Sequence, residues 1–310
     1  MTKVLILSNM YPSKESPYFG VFVKEQVDSL GAGCEIGLVT RKSKSIIGYF
    51  GLLFRLMSAL LFGNYSVLHV HYGLTAISVF PVLPLLWLKG IKLVLTLHGS
   101  DVLGSSFIVR KITALGIYFS STTIAVSMQI YNHILKYHPN KHVVWLPCGI
   151  DDSFFDKRAS AERTLTVVFP SNPKRVEKNF PRFIRVLKCV EAEIGREVNI
   201  ICLIGKSRQE IQDIFRASAC LFMTSFYEGS PQTVKEAVAS GLPVVSTDVG
   251  DVRLILDGIN GCVVSDDDEI LKGGIISTLN SLGSVNYPED FVKQYKQSMV
   301  CQRVLEIYER

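Results

Sequence analysis

Short apolar runs separated by stretches of helical periodicity recur along this 310-residue chain, and that alternation constrains its fold more than any other feature. In the first half the runs fall at residues 3–8, 35–40, 67–71, 92–97, 122–126 and 143–146. Helical patterns lie between them at 21–30, 46–61, 76–88, 107–119 and 128–136. Strands in such a series are buried on both faces, as in parallel sheets whose helical crossovers cover them. Residues 151–163 are polar and charged, and a domain linker is expected there. A second series follows, with strands at 164–170, 198–204, 220–224, 244–247 and 261–264 and helices at 180–194, 209–217 and 231–240. The expected fold class is therefore α/β, in two Rossmann-like domains covering residues 1–150 and 151–289.

Charge and cysteine usage narrow the class further. Hydrophobic residues make up 48% and charged residues 20%, enough to bury a sizeable core. The net charge of +5 is uneven: residues 1–150 carry 13 Lys and Arg against 5 Asp and Glu, and the remainder 20 against 23. A basic first half suits an anionic surface or substrate, such as phospholipid or a polyprenyl diphosphate, and no nucleic-acid partner is expected. Seven cysteines are scattered without a C-x-x-C pair, which argues against zinc and for a reducing compartment. The opening Met-Thr-Lys-Val-Leu-Ile-Leu-Ser-Asn turns polar too soon for a signal peptide, so a cytoplasmic location is expected. Residues 46–63 contain Arg55, and 74–88 contain Pro81 and Pro84. Both stretches are short for a membrane span and read as core-packed or interfacial helices. Docking on the inner face of the cytoplasmic membrane is a further expectation.

The most informative local pattern runs from Tyr227 to Ala237. Glu228 is followed by Gly-Ser-Pro, and Glu236 by Ala-Val-Ala-Ser-Gly-Leu-Pro. Ser230 reads as an N-cap, Pro231 as the first helical residue, and Gly241-Leu242-Pro243 as the stop. Glu228 then lies in the loop before a helix and Glu236 in its second turn. Unpaired N–H groups at a helix start bind anions, and flanking carboxylates accept bonds from hydroxyls. A nucleotide-sugar, with phosphates in the middle and hydroxyls at both ends, fits that arrangement.

This segment, with the following Gly-Leu-Pro-Val-Val-Ser-Thr-Asp-Val-Gly, resembles the E-x7-E segment of family 4 retaining glycosyltransferases. The resemblance extends from Ser8-Asn9-Met10-Tyr11-Pro12 through His98-Gly99-Ser100-Asp101 and Pro147-Cys148-Gly149-Ile150-Asp151. It implies the GT-B fold, two Rossmann-like domains facing each other across a cleft, with a C-terminal helix at about 290–310 packing back on the first. It also implies retention at the transferred sugar, a nucleotide-sugar donor and no metal or other cofactor. The implied acceptor is a glycan or a polyprenyl-diphosphate-linked polysaccharide such as O-antigen or capsule. A non-catalytic nucleotide-sugar-binding subunit and another GT-B enzyme, such as an epimerase, are the alternatives.

Individual roles follow residue by residue. His98 ends a strand, where open α/β sheets place ligands, and the family histidine it matches faces the transferred sugar. His69 and His71 share one strand face and read as structural, with His71 lining the acceptor side as the other option. Asp101 either orients the loop or touches acceptor. By resemblance, Lys178 and Arg175 neutralise the donor diphosphate, with Lys174 in reserve, although their spacing is shorter than usual in the family. Glu228 holds the sugar hydroxyls and Glu236 the ribose. Pro231 stands where the family has a glycine and removes one N–H, leaving those of Ser230, Gln232 and Thr233 for donor oxygens. Gly20 precedes a helix and allows close approach of a phosphate, in a loop less glycine-rich than the family's. Topology alone puts Gly205 and Ser225 near the base.

Overall fold

The computed structural model describes residues 2–14, 16, 19–41, 47–104, 106–156 and 162–310. The chain forms two compact units: Met1–Gly149 with Gln297–Arg310, and Ile150–Lys296.

In the first unit the order is β1 (Lys3–Ser8), α1 (Val21–Leu30), β2 (Glu35–Thr40), α2 (Ile47–Phe62), β3 (Val67–His71), α3 (Leu83–Leu88), β4 (Lys92–Leu97), α4 (Phe107–Phe119), β5 (Thr122–Ala125), α5 (Met128–Tyr137) and β6 (Val143–Trp145). The strands form one parallel sheet ordered β2-β1-β3-β4-β5-β6. Alternate residues face opposite sides. Leu5, Leu7, Leu68, Val70 and Leu95 pack with Leu52, Leu56, Ile130 and Ile134. Val4, Ile6, Val67 and Val94 pack against Val23, Val27 and Leu30 of α1. The second face also carries His69 and His71, so the polar end of β3 lies on the α1 side.

Two expected helices of this unit differ. The stretch 76–88 is broken into 3-10 turns at Gly73–Ser78 and Phe80–Val82 before α3, because Pro81 and Pro84 lack the N–H that a continuous helix needs. The helix expected at 46–61 is α2, with residue 46 outside the described residues. Its outward face is not polar: Phe50, Phe54, Leu61 and Phe62 are all exposed. Its one charged side chain, Arg55, donates to the Thr40 carbonyl at 2.7 Å. Among the described residues no helix is long and apolar enough to cross a membrane.

The second unit runs β7 (Thr166–Phe169), α6 (Phe180–Ile194), β8 (Asn199–Cys202), α7 (Arg208–Ala217), β9 (Cys220–Met223), α8 (Gln232–Ala239), β10 (Val244–Ser246), α9 (Val252–Ile255), β11 (Val263–Val264), α10 (Asp268–Ser281) and α11 (Glu289–Tyr295). Its parallel sheet is ordered β11-β10-β9-β7-β8. The core again has two layers, Val168, Leu221, Met223 and Val234 on one side and Val167, Phe169, Phe183 and Phe222 on the other.

The polar stretch 151–163 is not simply a linker. Residues 157–161 lie outside the described residues, but both flanks are built into the second unit. Phe154 is fully buried, and the buried Arg163 guanidinium donates to the carbonyls of Phe215 at 3.2 Å and Gly241 at 2.9 Å. The helix expected at 290–310 is two helices. Lys296 is extended, beside Ile150, and separates α11 in the second unit from α12 (Gln297–Glu309) in the first. The second unit thus ends at Lys296 rather than 289.

Candidate active site

In the second unit the chemistry gathers around the start of α8. The helix begins at Gln232 with Pro231, at φ −66° and ψ 118°, in the capping position. Ser230 is therefore not the N-cap, because the proline takes that place in an extended conformation. Its Oγ is buried and has no hydrogen-bond partner among the described residues. The N–H groups of Gln232 and Thr233 precede the first bond of the helix, from Lys235 N to the Pro231 carbonyl.

Glu228 stands in the loop before this helix. Its Oε1 is bound by the Lys178 ammonium and by the Ser225 hydroxyl, the latter at 2.6 Å. The Lys178 and Glu228 side chains are 12% and 14% exposed, so the ion pair is largely shielded from water. Lys178 owes its position to a short 3-10 turn, Val176–Lys178, that ends at Asn179 in the left-handed conformation. The Thr224 hydroxyl, just past β9, donates to the carbonyls of Lys178 at 3.1 Å and Asn179 at 3.0 Å. Phe226 N donates to the Glu177 carbonyl at 2.9 Å, so the two loops are stitched together.

Arg175 is not brought to this pair. Its exposed guanidinium is engaged by Glu177, with Nε donating at 2.8 Å. Lys174 is exposed too. Ser225 is buried, its hydroxyl donating to Glu228 and its carbonyl accepting from Thr247. Gly205 has a left-handed φ of +66° and open space on its Cβ side.

Glu236 is on α8, 3% exposed, and paired with Arg208 Nη2 at 2.9 Å. That arginine opens α7 behind a Ser207–Glu210 capping box and lies 4.7 Å over the Phe154 ring. Sequence reasoning missed it, although Gly205-Lys206-Ser207-Arg208 follows the C-terminal end of β8, where such sheets place ligands. It also missed Gly250. This residue has φ +56°, and a Cβ there would come 2.2 Å from the Gly229 carbonyl oxygen. Asp251 N donates to that same oxygen at 2.8 Å, so the loop after β10 braces the loop that carries Glu228.

In the first unit His98 follows β4 and is partly exposed. The buried Asp101 carboxylate accepts N–H bonds from Gly73 at 2.8 Å, His98 at 3.1 Å and Gly99 at 2.8 Å. Burial raises the pKa of this carboxyl, and these N–H bonds, together with its own backbone N–H, oppose that rise. Its geometry is that of a loop organiser. His71 Nδ1 is 3.2 Å from His98 Nε2, and Cys148 Sγ is 3.9 Å from His98 Nδ1. His69 sits behind His71, bonded to the Tyr308 hydroxyl of α12 at 2.6 Å and to Thr96 Oγ1 at 2.7 Å. Burial holds all three imidazoles neutral, with His71 pushed down to about 3 and the other two well below the usual range. Gly20 is explained by the fold: its φ is +73°, and a Cβ would meet the Met10 carbonyl carbon at 2.6 Å. Among the described residues no group of His, Cys, Asp and Glu side chains could hold a metal ion.

Comparison with known proteins gives two matches to family models. Residues 24–154 match "Glycosyltransferase Family 4", and residues 167–281 match "Glycosyl transferases group 1". No curated protein sequence matches the chain. Among solved structures, a sucrose-phosphate synthase of Thermosynechococcus elongatus superimposes with a TM-score of 0.74 at 12% identity, covering 100% of this chain and 98% of its own. HepE of Anabaena, solved in complex with UDP and glucose, gives 0.72 at 13% identity with full coverage of both chains. The lipopolysaccharide outer core galactosyltransferase WaaB gives 0.67 at 14% identity and 99% coverage of both.

Proposed function

From a chain that is a glycosyltransferase of the GT-B fold, a family 4 domain followed by a group 1 domain, we propose the following reaction. It transfers a sugar from a nucleotide-diphosphate donor, with retention and without a metal, to a lipid-carrier-linked polysaccharide. The observation that carries the donor half is the start of α8, where Ser230, between Glu228 and Glu236 in sequence, keeps a buried hydroxyl with no partner among the described residues. Oxygens of a diphosphate fit that hydroxyl and the N–H groups of Ser230, Gln232 and Thr233. Solved structures of the similar HepE with UDP and with UDP-glucose support this donor class and make UDP-glucose the first donor to try.

Lys178 supplies the positive charge for the leaving diphosphate, in place of a metal. Its present partner, Glu228, then turns to the hydroxyls of the transferred sugar. Arg175 contributes to the diphosphate only by leaving Glu177. Glu236, oriented by Arg208, takes the ribose. His98, matched to the family's sugar-facing histidine, binds a hydroxyl of the transferred sugar as a neutral imidazole. Gly20 contributes its N–H only. The acceptor class rests on the family resemblance, the basic first 150 residues and the exposed Phe50, Phe54, Leu61 and Phe62 of α2, which suit an anionic lipid surface. A cytoplasmic enzyme docked peripherally on the inner membrane face is part of the same proposal.

Steady-state kinetics of the two glutamate variants test this reading. Glu236 binds ground and transition states alike, so Glu236→Gln raises donor KM with a smaller change in kcat. Glu228 sits where the bond breaks, so Glu228→Gln lowers kcat more than it raises KM. The opposite split reverses the two roles, and full transfer by both variants removes the reading altogether.

A further inference from the structure

The two histidines that meet at the ends of β3 and β4 carry an inference about proton placement. His71 Nδ1 and His98 Nε2 are 3.2 Å apart, and their ring planes differ by only 19°. A neutral imidazole has one N–H and one lone pair, so one ring donates and the other accepts. The deciding atom is His71 Nε2, which is buried and has no hydrogen-bond partner among the described residues. Were His98 the donor, the His71 proton would have to sit on that Nε2, as a buried N–H with nothing to bond. Orphaned buried N–H groups are rare and costly, whereas an unpaired acceptor is better tolerated. The opposite direction leaves only a lone pair at Nε2.

We propose that His71 is a positioning residue whose Nδ1–H donates to His98 Nε2 and so fixes His98 as the Nδ1–H tautomer. The proton of His98 then points toward Cys148 Sγ at 3.9 Å, a long and weak contact. A hydroxyl oxygen arriving at His98 replaces that contact with a stronger bond. The ligand therefore meets a donor, not a lone pair, and His98 does not take a proton from it through Nδ1. The neighbours favour this arrangement. His69, its ring 4.4 Å from that of His71, is itself anchored through both ring nitrogens, and Phe22 lies 5.0 Å from the His98 ring. The consequence for transfer rests on the reading of His98 as a sugar-binding residue, whereas the tautomer itself does not.

The test is 15N NMR of the full-length protein carrying 15N-labelled histidine, with two-bond ring correlations distinguishing the tautomers. His98 is assigned by the signal lost in His98→Ala. The wild type is expected to show His98 protonated at Nδ1. His71→Phe, which has no donor, is expected to move His98 toward the Nε2–H tautomer and to lower kcat roughly tenfold with donor KM little changed. His71→Asn places an amide donor near the position of Nδ1 and is expected to restore both the tautomer and most of the turnover. With His98 assigned from His98→Ala, a wild-type spectrum that shows it protonated at Nε2 overturns the proposal even if neither His71 variant folds. So does an Nδ1–H signal that persists unchanged in His71→Phe. If the tautomer behaves as expected but His98→Ala transfers sugar at the wild-type rate, the proton placement stands and the role given to His98 in transfer falls.

Discussion

Arg208 and Glu236 should respond very differently to removal, although they form one ion pair. The Glu236 side chain is 3% exposed, while that of Arg208 is 34% exposed and lies over Phe154. Glu236→Gln removes the buried charge, keeps a hydrogen-bonding group beside the guanidinium, and leaves a cation whose side chain is partly exposed although its Nε and Nη2 are buried. Its cost should be about 1 kcal/mol. Arg208→Met keeps much of the packing on Phe154 but strands a carboxylate in a nearly dry site. Removing one partner of a buried pair costs about 3–5 kcal/mol. At about 2–4 °C per kcal/mol for a domain of about 150 residues, that is a fall in Tm of roughly 6–20 °C, against about 2–4 °C for Glu236→Gln. The double variant should recover most of the loss, because the stranded charge is gone. Differential scanning fluorimetry on the four proteins, without ligand, reads all of this. Equal Tm losses for the two single variants, or an additive double variant, would refute the claim that the arginine is there to stabilise a buried charge.

Three further outcomes are expected. Gly250→Ala meets a left-handed φ, which costs about 1–2 kcal/mol, and drives a Cβ into the Gly229 carbonyl, so turnover should fall as the Glu228 loop shifts; unchanged kcat with donor would dismiss the bracing role. His71 titrates near 6.5 when unfolded and at about 3 when folded, so the unfolded state binds more protons between those values and stability must fall as pH drops through that window. The loss from His71 alone is about 2 kcal/mol at about pH 5, and Tm measured against pH should be less steep in His71→Asn than in the wild type. Anionic vesicles should bind the protein at low salt and release it as salt rises, and Phe50→Ser with Phe54→Ser should weaken that binding; no vesicle binding at low salt counts against membrane docking through α2.

The sheets were legible because helices on both faces give central strands continuous apolar runs, and β1, apolar and buried from Val4 to Leu7, is an example. The helix α10 was not, since Gly273-Gly274 reads as a break. In the structure Gly274 is where the helix closes onto Val263, and a Cβ would come 2.9 Å from that side chain. The tail read as one helix because nothing local marks Lys296 as its break; the cause is a partner far away in sequence, Ile150. The same division holds at the site. Glu228 and Glu236 stood out because Gly-Ser-Pro and Gly-Leu-Pro punctuate the helix between and after them. Their cations did not. Arg175 and Lys178 look interchangeable in a basic turn, and only the turn at Asn179, fastened by Thr224, decides that Lys178 reaches Glu228. Arg208 reaches Glu236 because the start of α7 lies beside α8, a long-range fact with no local signature.

What separates the residues assigned to chemistry from the other charged residues is the number of independent elements that hold each one. The His98 main chain is fixed by Asp101, which also holds Gly73 beyond β3, and its ring is fixed by His71 at the end of the same strand. Glu228 is held by Lys178 from the turn before α6 and by Ser225 after β9, and its neighbour Gly229 by Asp251 after β10. Glu236 is held by its own helix and by Arg208 of α7. Among the described residues the Arg175 side chain, by contrast, is tied only to Glu177, two residues away and on the same turn. A side chain fixed from two or three elements loses little freedom when a ligand arrives. Orientation of that kind favours a transition state only when it is set beforehand. The wiring therefore ranks the candidates: His98, Glu228 and Glu236 are pre-oriented, Lys178 is pre-oriented but must exchange its partner, and Arg175 must be recruited.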